Sequence, residues 1–165
     1  MATKVQYDVF RAVYDEESER HTVLESRAKL YLTIITAYLG AVAFKTTDVL
    51  AFLARFCISF YWYLLLGVCL IVALLLAICA MGIRKYEGVF DPEAEIKSFG
   101  RNPPTDEDFL DKRIVDLAVA SNRNNKVNNR IAGYLHYSGT MVFLAVCLQL
   151  VVFGLAIFHY RSVSQ

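Results

Sequence analysis

The stretch Tyr61–Ile83, YWYLLLGVCLIVALLLAICAMGI, decides the reading of this chain. Together with the residues just before it, it forms the span 58–83, within a run, 56–83, that has no Asp, Glu, Lys or Arg. Roughly 18 such residues already read as a membrane helix, and at about 1.5 Å per residue the run covers a ~30 Å hydrocarbon layer. Phe60, Tyr61, Trp62 and Tyr63 lead it and Tyr86 follows it. Trp and Tyr prefer the headgroup level, where the ring is buried and its polar tip is wet.

A second uncharged run occupies 131–160. Its span is 138–158, with Tyr134 and Tyr137 at one end, Tyr160 at the other and one polar side chain, Gln149, at mid-depth. A third candidate, 30–44 (LYLTIITAYLGAVAF), lies between Lys29 and Lys45 and is short. It crosses if both lysines snorkel or the bilayer thins. The alternative is a buried or interfacial helix. The crossing is favoured because Lys45–Asp48 then makes a polar turn, with 49–56 at the interface and Arg55 among the headgroups.

The 165 residues fit one domain, 1–165. They are 56% apolar and 20% charged, and 17 Lys+Arg against 16 Asp+Glu leave a net charge of +1. That apolar content excludes a disordered chain. Four cysteines within or beside the spans, with no Cys-x-x-Cys pair, exclude a disulfide-rich module and a cysteine metal site. The near-neutral balance excludes a basic nucleic-acid-binding domain of ordinary type.

The charges are segregated. Residues 1–29 hold five Lys+Arg and 84–130 hold nine, whereas Lys45, Arg55 and Arg161 are the only others. The positive-inside rule therefore places the N-terminus and the 84–137 loop in the cytoplasm, with three crossings between them and the C-terminus. No cleavable signal peptide is expected, because the first 28 residues carry ten formal charges and no short apolar core. No lipidation signature is seen either.

The cytoplasmic parts read as helices. Residues 4–29 carry an interrupted apolar stripe of Val5, Val9, Val13, Val23, Leu24 and Ala28, with Glu16–Arg20 and Glu25–Lys29 as i,i+4 pairs. Without Gly or Pro before residue 40, this helix is expected to continue into the first span as a rod. Asp91-Pro92 starts a short helix that Gly100 ends, and Pro103-Pro104 breaks the chain. Thr105 then caps a new helix whose first turn is acidic and whose apolar face is Leu110, Ile114, Leu117 and Ala118. It too can run on into the membrane. The two rods are expected to lie antiparallel, side by side.

The most unusual local sequence is Ser121–Arg130, SNRNNKVNNR. Asn122, Lys126 and Arg130 share one helical face, and Asn125 and Asn129 another. The plain reading is a positively charged headgroup anchor. The sharper one is a vestibule in which Asn122, Arg123, Asn125, Lys126, Asn129 and Arg130 hold an anion such as a nucleotide phosphate.

No nucleophile elbow, H-E-x-x-H, P-loop or Rossmann glycine pattern is present, and no catalytic residue, metal site or cofactor is expected. His21, His136 and His159 read as interfacial aromatics. What remains is assembly and permeation. Thr36/Gly40, Cys69/Ala73/Ala77 and Gly139 are small residues at close-packing positions, and three thin helices are expected to form a homo-oligomer. Thr33, Thr36 and Gly40 on one span, and Ser138 and Gln149 on another, either line a narrow pore or bond helices together.

The pattern from Glu17 to Lys29 (ESERHTVLESRAK) before a short span, and from Leu117 to Arg130 (LAVASNRNNKVNNR) before the last, resembles small bacterial membrane effectors of the SLATT type. It also resembles the membrane effectors of Pycsar and CBASS anti-phage defence. The layout is similar to the stand-alone membrane channel of the Hailong system. The SLATT type usually has two spans, where three are read here. The resemblance implies an all-α, multi-pass protein of the bacterial inner membrane, assembling as a homo-oligomer with a tetramer favoured. It further implies a channel gated from the cytoplasm by a nucleotide, or a DNA or RNA oligomer, made by a partner nucleotidyltransferase, with depolarisation and growth arrest as the outcome. The alternative is a non-conducting scaffold or small subunit of a membrane complex.

Overall fold

The computed structural model describes residues 4–56, 60–83 and 105–163, with side chains through His159. Cys57, Tyr86, the short helix expected from Pro92 to Gly100 and the Pro103-Pro104 break lie outside the described residues. Among those described, the chain forms four α-helices and no strand: α1 (Lys4–Phe44), α2 (Thr46–Arg55), α3 (Tyr61–Gly82) and α4 (Asp106–Val163). Of these, α1, α3 and α4 are long and apolar enough to cross a membrane.

The two long helices follow from what their sequences lack. Nothing before Gly40 interrupts the ladder of α1, which is 41 residues, or about 60 Å, in one piece. Lys45 alone separates α1 from α2, and its N–H still reaches the Ala41 carbonyl at 3.1 Å. The polar turn expected over Lys45–Asp48 is thus a one-residue break, because Thr46 starts the next helix while bonding back to the Val42 carbonyl at 3.1 Å. The start of α4 is capped by Thr105. Its Oγ1 accepts the Asp108 N–H at 3.3 Å and donates to the Asp108 carboxylate at 2.6 Å. With Asp106, Glu107 and Asp108 in the first turn, the helix then runs 58 residues without a proline.

Contacts divide the chain into two compact units. One comprises Met1–Glu25 with Ile83–Ile131, the other Ser26–Gly82 with Ala132–Gln165.

In the second unit, inward positions recur at alternating intervals of three and four residues. They are Ala28, Tyr31, Ile35, Tyr38 and Val42 on α1; Leu66, Leu70, Ala73, Ala77 and Ala80 on α3; and Leu135, Ser138, Val142 and Ala145 on α4. That 3.5-residue period is the coiled-coil period, which keeps a contact line on one face when helices wrap around one another. Ile35 sits on Ala73 and Ala77, walled by Tyr31, Leu39, Leu74, Met141 and Val142. Leu66, Leu70 and Ala145 form a second cluster beneath Tyr38, Leu39 and Val42. The two alanines let the helices approach closely. The outer faces of α3 and α4 are equally apolar: Leu64, Val68, Ile71, Leu75, Phe143, Leu150 and Phe153 are all exposed. A helix apolar all round suits a membrane span or the core of an assembly.

Direction is read from paired positions. Tyr31 meets Gly139 and Tyr38 meets Gln149, so α1 and α4 ascend together in this unit. Within this unit the two helices are parallel, where the rods were expected to be antiparallel. The physical reason is that both helices lead into their apolar segments from the N-terminal side.

In the first unit the same period continues on α1 through Tyr14, Glu17, His21 and Leu24, and on α4 through Leu117, Ser121, Asn124, Asn128 and Ile131. The stripe expected on α1 is corrected here. Leu24 is buried, but Val5, Val9, Val13 and Val23 face outward with 72%, 57%, 43% and 45% of their surface exposed. Polar and aromatic residues hold the inward positions instead.

Candidate functional site

In the first unit the chemistry concentrates around Asn128, which is fully buried. Its Nδ2 donates to the Glu17 carbonyl oxygen at 2.9 Å and to Glu17 Oε2 at 2.8 Å. Its Oδ1 lies 3.0 Å from His21 Nδ1, which donates when that nitrogen carries the proton. One carboxamide thereby satisfies a main-chain acceptor, a carboxylate and an imidazole across two helices. Asn124, one turn earlier, is also fully buried, and Ser121 nearly so. A polar residue in a coiled-coil seam fixes register at a cost in stability, because any slip strands it among apolar neighbours.

The six residues read as a vestibule lie off this buried line. Asn122, Arg123, Asn125, Lys126, Asn129 and Arg130 are all exposed. Within this set, Arg20 Nη2 donates to Asn129 Oδ1 at 2.8 Å, and Asn129 Nδ2 donates to Asn125 Oδ1 at 2.8 Å. Arg20 also approaches Glu17 Oε1 at 3.5 Å, an i,i+3 pair where Glu16 was the expected partner. Two amides of the strip are therefore already engaged, while Lys126 and Arg130 present exposed positive charge. Sequence reasoning passed over Asn124, Asn128, Glu17 and His21. The signal that finds them is the phase of the apolar repeat, which carried back from Leu135 and Ile131 falls on Asn128, Asn124 and Ser121. His21 is accordingly part of a polar seam rather than an interfacial aromatic.

In the second unit the candidates separate into two groups. Ser138 is fully buried, and its Oγ donates to the Ala73 carbonyl at 2.8 Å, tying α4 to α3. Gln149 Oε1 accepts the Tyr38 hydroxyl, tying α4 to α1. Both act as helix-to-helix bonds within the chain. Thr33, Thr36 and Gly40 instead share an exposed row on α1. Thr33 Oγ1 turns back onto the Lys29 carbonyl at 3.0 Å, and nothing lies within 4 Å of where a Gly40 side chain would begin. Gly139, by contrast, faces Tyr31, whose hydroxyl would stand 3.0 Å from an added Cβ.

Other features carry no chemistry. Cys69, Cys79 and Cys147 are free thiols. His136 lies beside Tyr137, and His159 presents against the edge of Phe56. Among the described residues no cluster of His, Cys, Asp or Glu is placed to hold a metal ion.

Compared with known proteins, the chain matches no family model, no curated protein and no solved structure. The class that fold and site define is thus a chain whose described residues are helical, with three helices long and apolar enough to cross a membrane and a polar-seamed helical pair.

Proposed function

We propose that this chain is a homo-oligomeric channel of the bacterial inner membrane, with its N-terminus cytoplasmic, belonging to the SLATT- and CBASS-like effectors of anti-phage defence. The observation that supports it is the Thr33–Thr36–Gly40 row. α1 is the least hydropathic of the three spanning helices. Yet beside the exposed Leu30, Ile34 and Phe44 its outward face carries a row of Thr33, Thr36, Ala37, Gly40 and Ala41, small or hydroxylated residues that neither α3 nor α4 covers. Large aliphatic side chains fill the outward faces of the other two. Lipid favours the latter, and a neighbouring helix or a narrow polar path favours the former. Copies of the chain meet through α1, and their Thr33 and Thr36 hydroxyls face the path that ions take. Exposed Lys126 and Arg130, repeated around the assembly, receive the phosphates of a nucleotide or a DNA or RNA oligomer made by a partner nucleotidyltransferase.

The test is single-channel recording from purified chain in planar bilayers, with and without cyclic or linear oligonucleotides on the Lys126 side. Discrete conductance steps that respond to the nucleotide support the reading, and their absence from an oligomeric preparation refutes it. A second reading, a non-conducting scaffold or small subunit of a membrane complex, draws on Ser138 and Gln149 both being bonded within the chain.

A further inference from the structure

A cleft of about 90 Å³ in the second unit is lined by Val42, Val49, Leu53, Trp62, Leu148 and Val152, among others. It is walled by α2, whose inward face is Thr46, Val49 and Leu53, followed by Phe56 just past its end, and whose outward positions include Thr47, Asp48 and Arg55. The polar groups beside it are engaged. Tyr63 Oη is 2.8 Å from Thr46 Oγ1 and donates to the Val42 carbonyl at 3.2 Å, while Gln149 holds Tyr38. A cavity with such walls does not retain water and is filled by hydrocarbon where hydrocarbon is at hand.

We propose that this cleft seats a short segment of one acyl chain of an anionic phospholipid whose phosphate lies toward Arg55, at the end of α2. Two observations select that occupant. The walls belong to helices whose outer faces already require lipid, so acyl chains are the surrounding solvent. The one charge of α2 left without an opposite charge complements an anion. Lys45 shares Asp48 at 3.0 Å, whereas Arg55 lies over the Phe56 ring and has no carboxylate partner among the described residues. An amphipathic helix at the headgroup level with an unneutralised arginine attracts anionic lipid.

The chain reports on this site itself, because Trp62 is its only tryptophan. Full-length protein is reconstituted into phosphatidylcholine vesicles containing increasing fractions of acyl-brominated phosphatidylglycerol, or of acyl-brominated phosphatidylcholine, and Trp62 fluorescence is followed. Brominated phosphatidylglycerol is expected to quench half-maximally at a mole fraction at least threefold lower than brominated phosphatidylcholine. Arg55→Gln is expected to remove that difference. Val49→Phe, which fills the cleft from α2, is expected to reduce quenching by both lipids, and Val152→Phe does the same from α4 if the first variant fails to insert. Equal quenching by the two lipids in the unaltered protein overturns the headgroup assignment. Quenching unchanged by a folded cleft-filling variant overturns the site.

Discussion

Asn128 holds Glu17 twice, through the main-chain oxygen at 2.9 Å and the carboxylate at 2.8 Å, from a position with no solvent exposure. Replacing it with alanine removes both bonds and the contact with His21 Nδ1. Hydrogen bonds to charged groups contribute about 1.5–3 kcal/mol. Asn128→Ala is expected to destabilise the first unit by about that much, measured as loss of helicity in urea titrations of full-length protein. Asn122→Ala, on the exposed flank, is expected to change it by less than about 0.5 kcal/mol.

Tyr38 and Gln149 form an equivalent tie in the second unit, but between neutral groups in an apolar surrounding. Such bonds contribute about 0.6–2 kcal/mol between membrane helices. Gln149→Leu and Tyr38→Phe are each expected to lower thermal stability in detergent modestly, and the double variant to lose little more than either one. A fully additive pair would show that the two side chains act independently.

Two glycines give opposite expectations. Gly139→Leu drives a side chain into the Tyr31 hydroxyl and is expected to cost about 1–3 kcal/mol through overpacking, read as a lowered Tm of the isolated chain. Gly40→Leu meets open space in the single chain and should leave that Tm unchanged. If copies pair through α1, Gly40→Leu abolishes the oligomer in light scattering and the conductance with it. An intact Gly40→Leu oligomer would move the contact to another face.

Lys126→Glu combined with Arg130→Glu reverses exposed charge without touching the seam. Membrane insertion and helicity are expected to be retained, while binding of a fluorescent oligonucleotide to detergent-solubilised protein is expected to fall at least tenfold. Binding at the original level would leave the strip as a headgroup anchor.

The elements were legible because their causes are local. The uncharged runs 58–83 and 131–160 required apolar helices, the absence of breakers before Gly40 required a continuous α1, and Thr105 ahead of three acids marked the start of α4. The seam of the first unit was not legible from apolar pattern. Its inward positions are Tyr14, Glu17, His21, Asn124 and Asn128, which a search for hydrophobic stripes skips, and the valines at positions 5, 9 and 13 gave a false one. Polar groups become core only when each finds its partner, and that partner lies more than 100 positions away, as Asn128 does from Glu17.

The same division holds for the candidate residues. Sequence alone grouped Thr33, Thr36, Gly40, Ser138 and Gln149 as small or polar positions within spans, and marked Lys126 and Arg130 as charge beside them. It could not say which of the five are already spent. Only the tertiary structure separated Ser138 and Gln149, satisfied by Ala73 and Tyr38, from the outward row on α1. The physical reason is that composition fixes which solvent a helix tolerates, whereas the rotation of each helix about its own axis is set by close contacts that only the assembled chain contains.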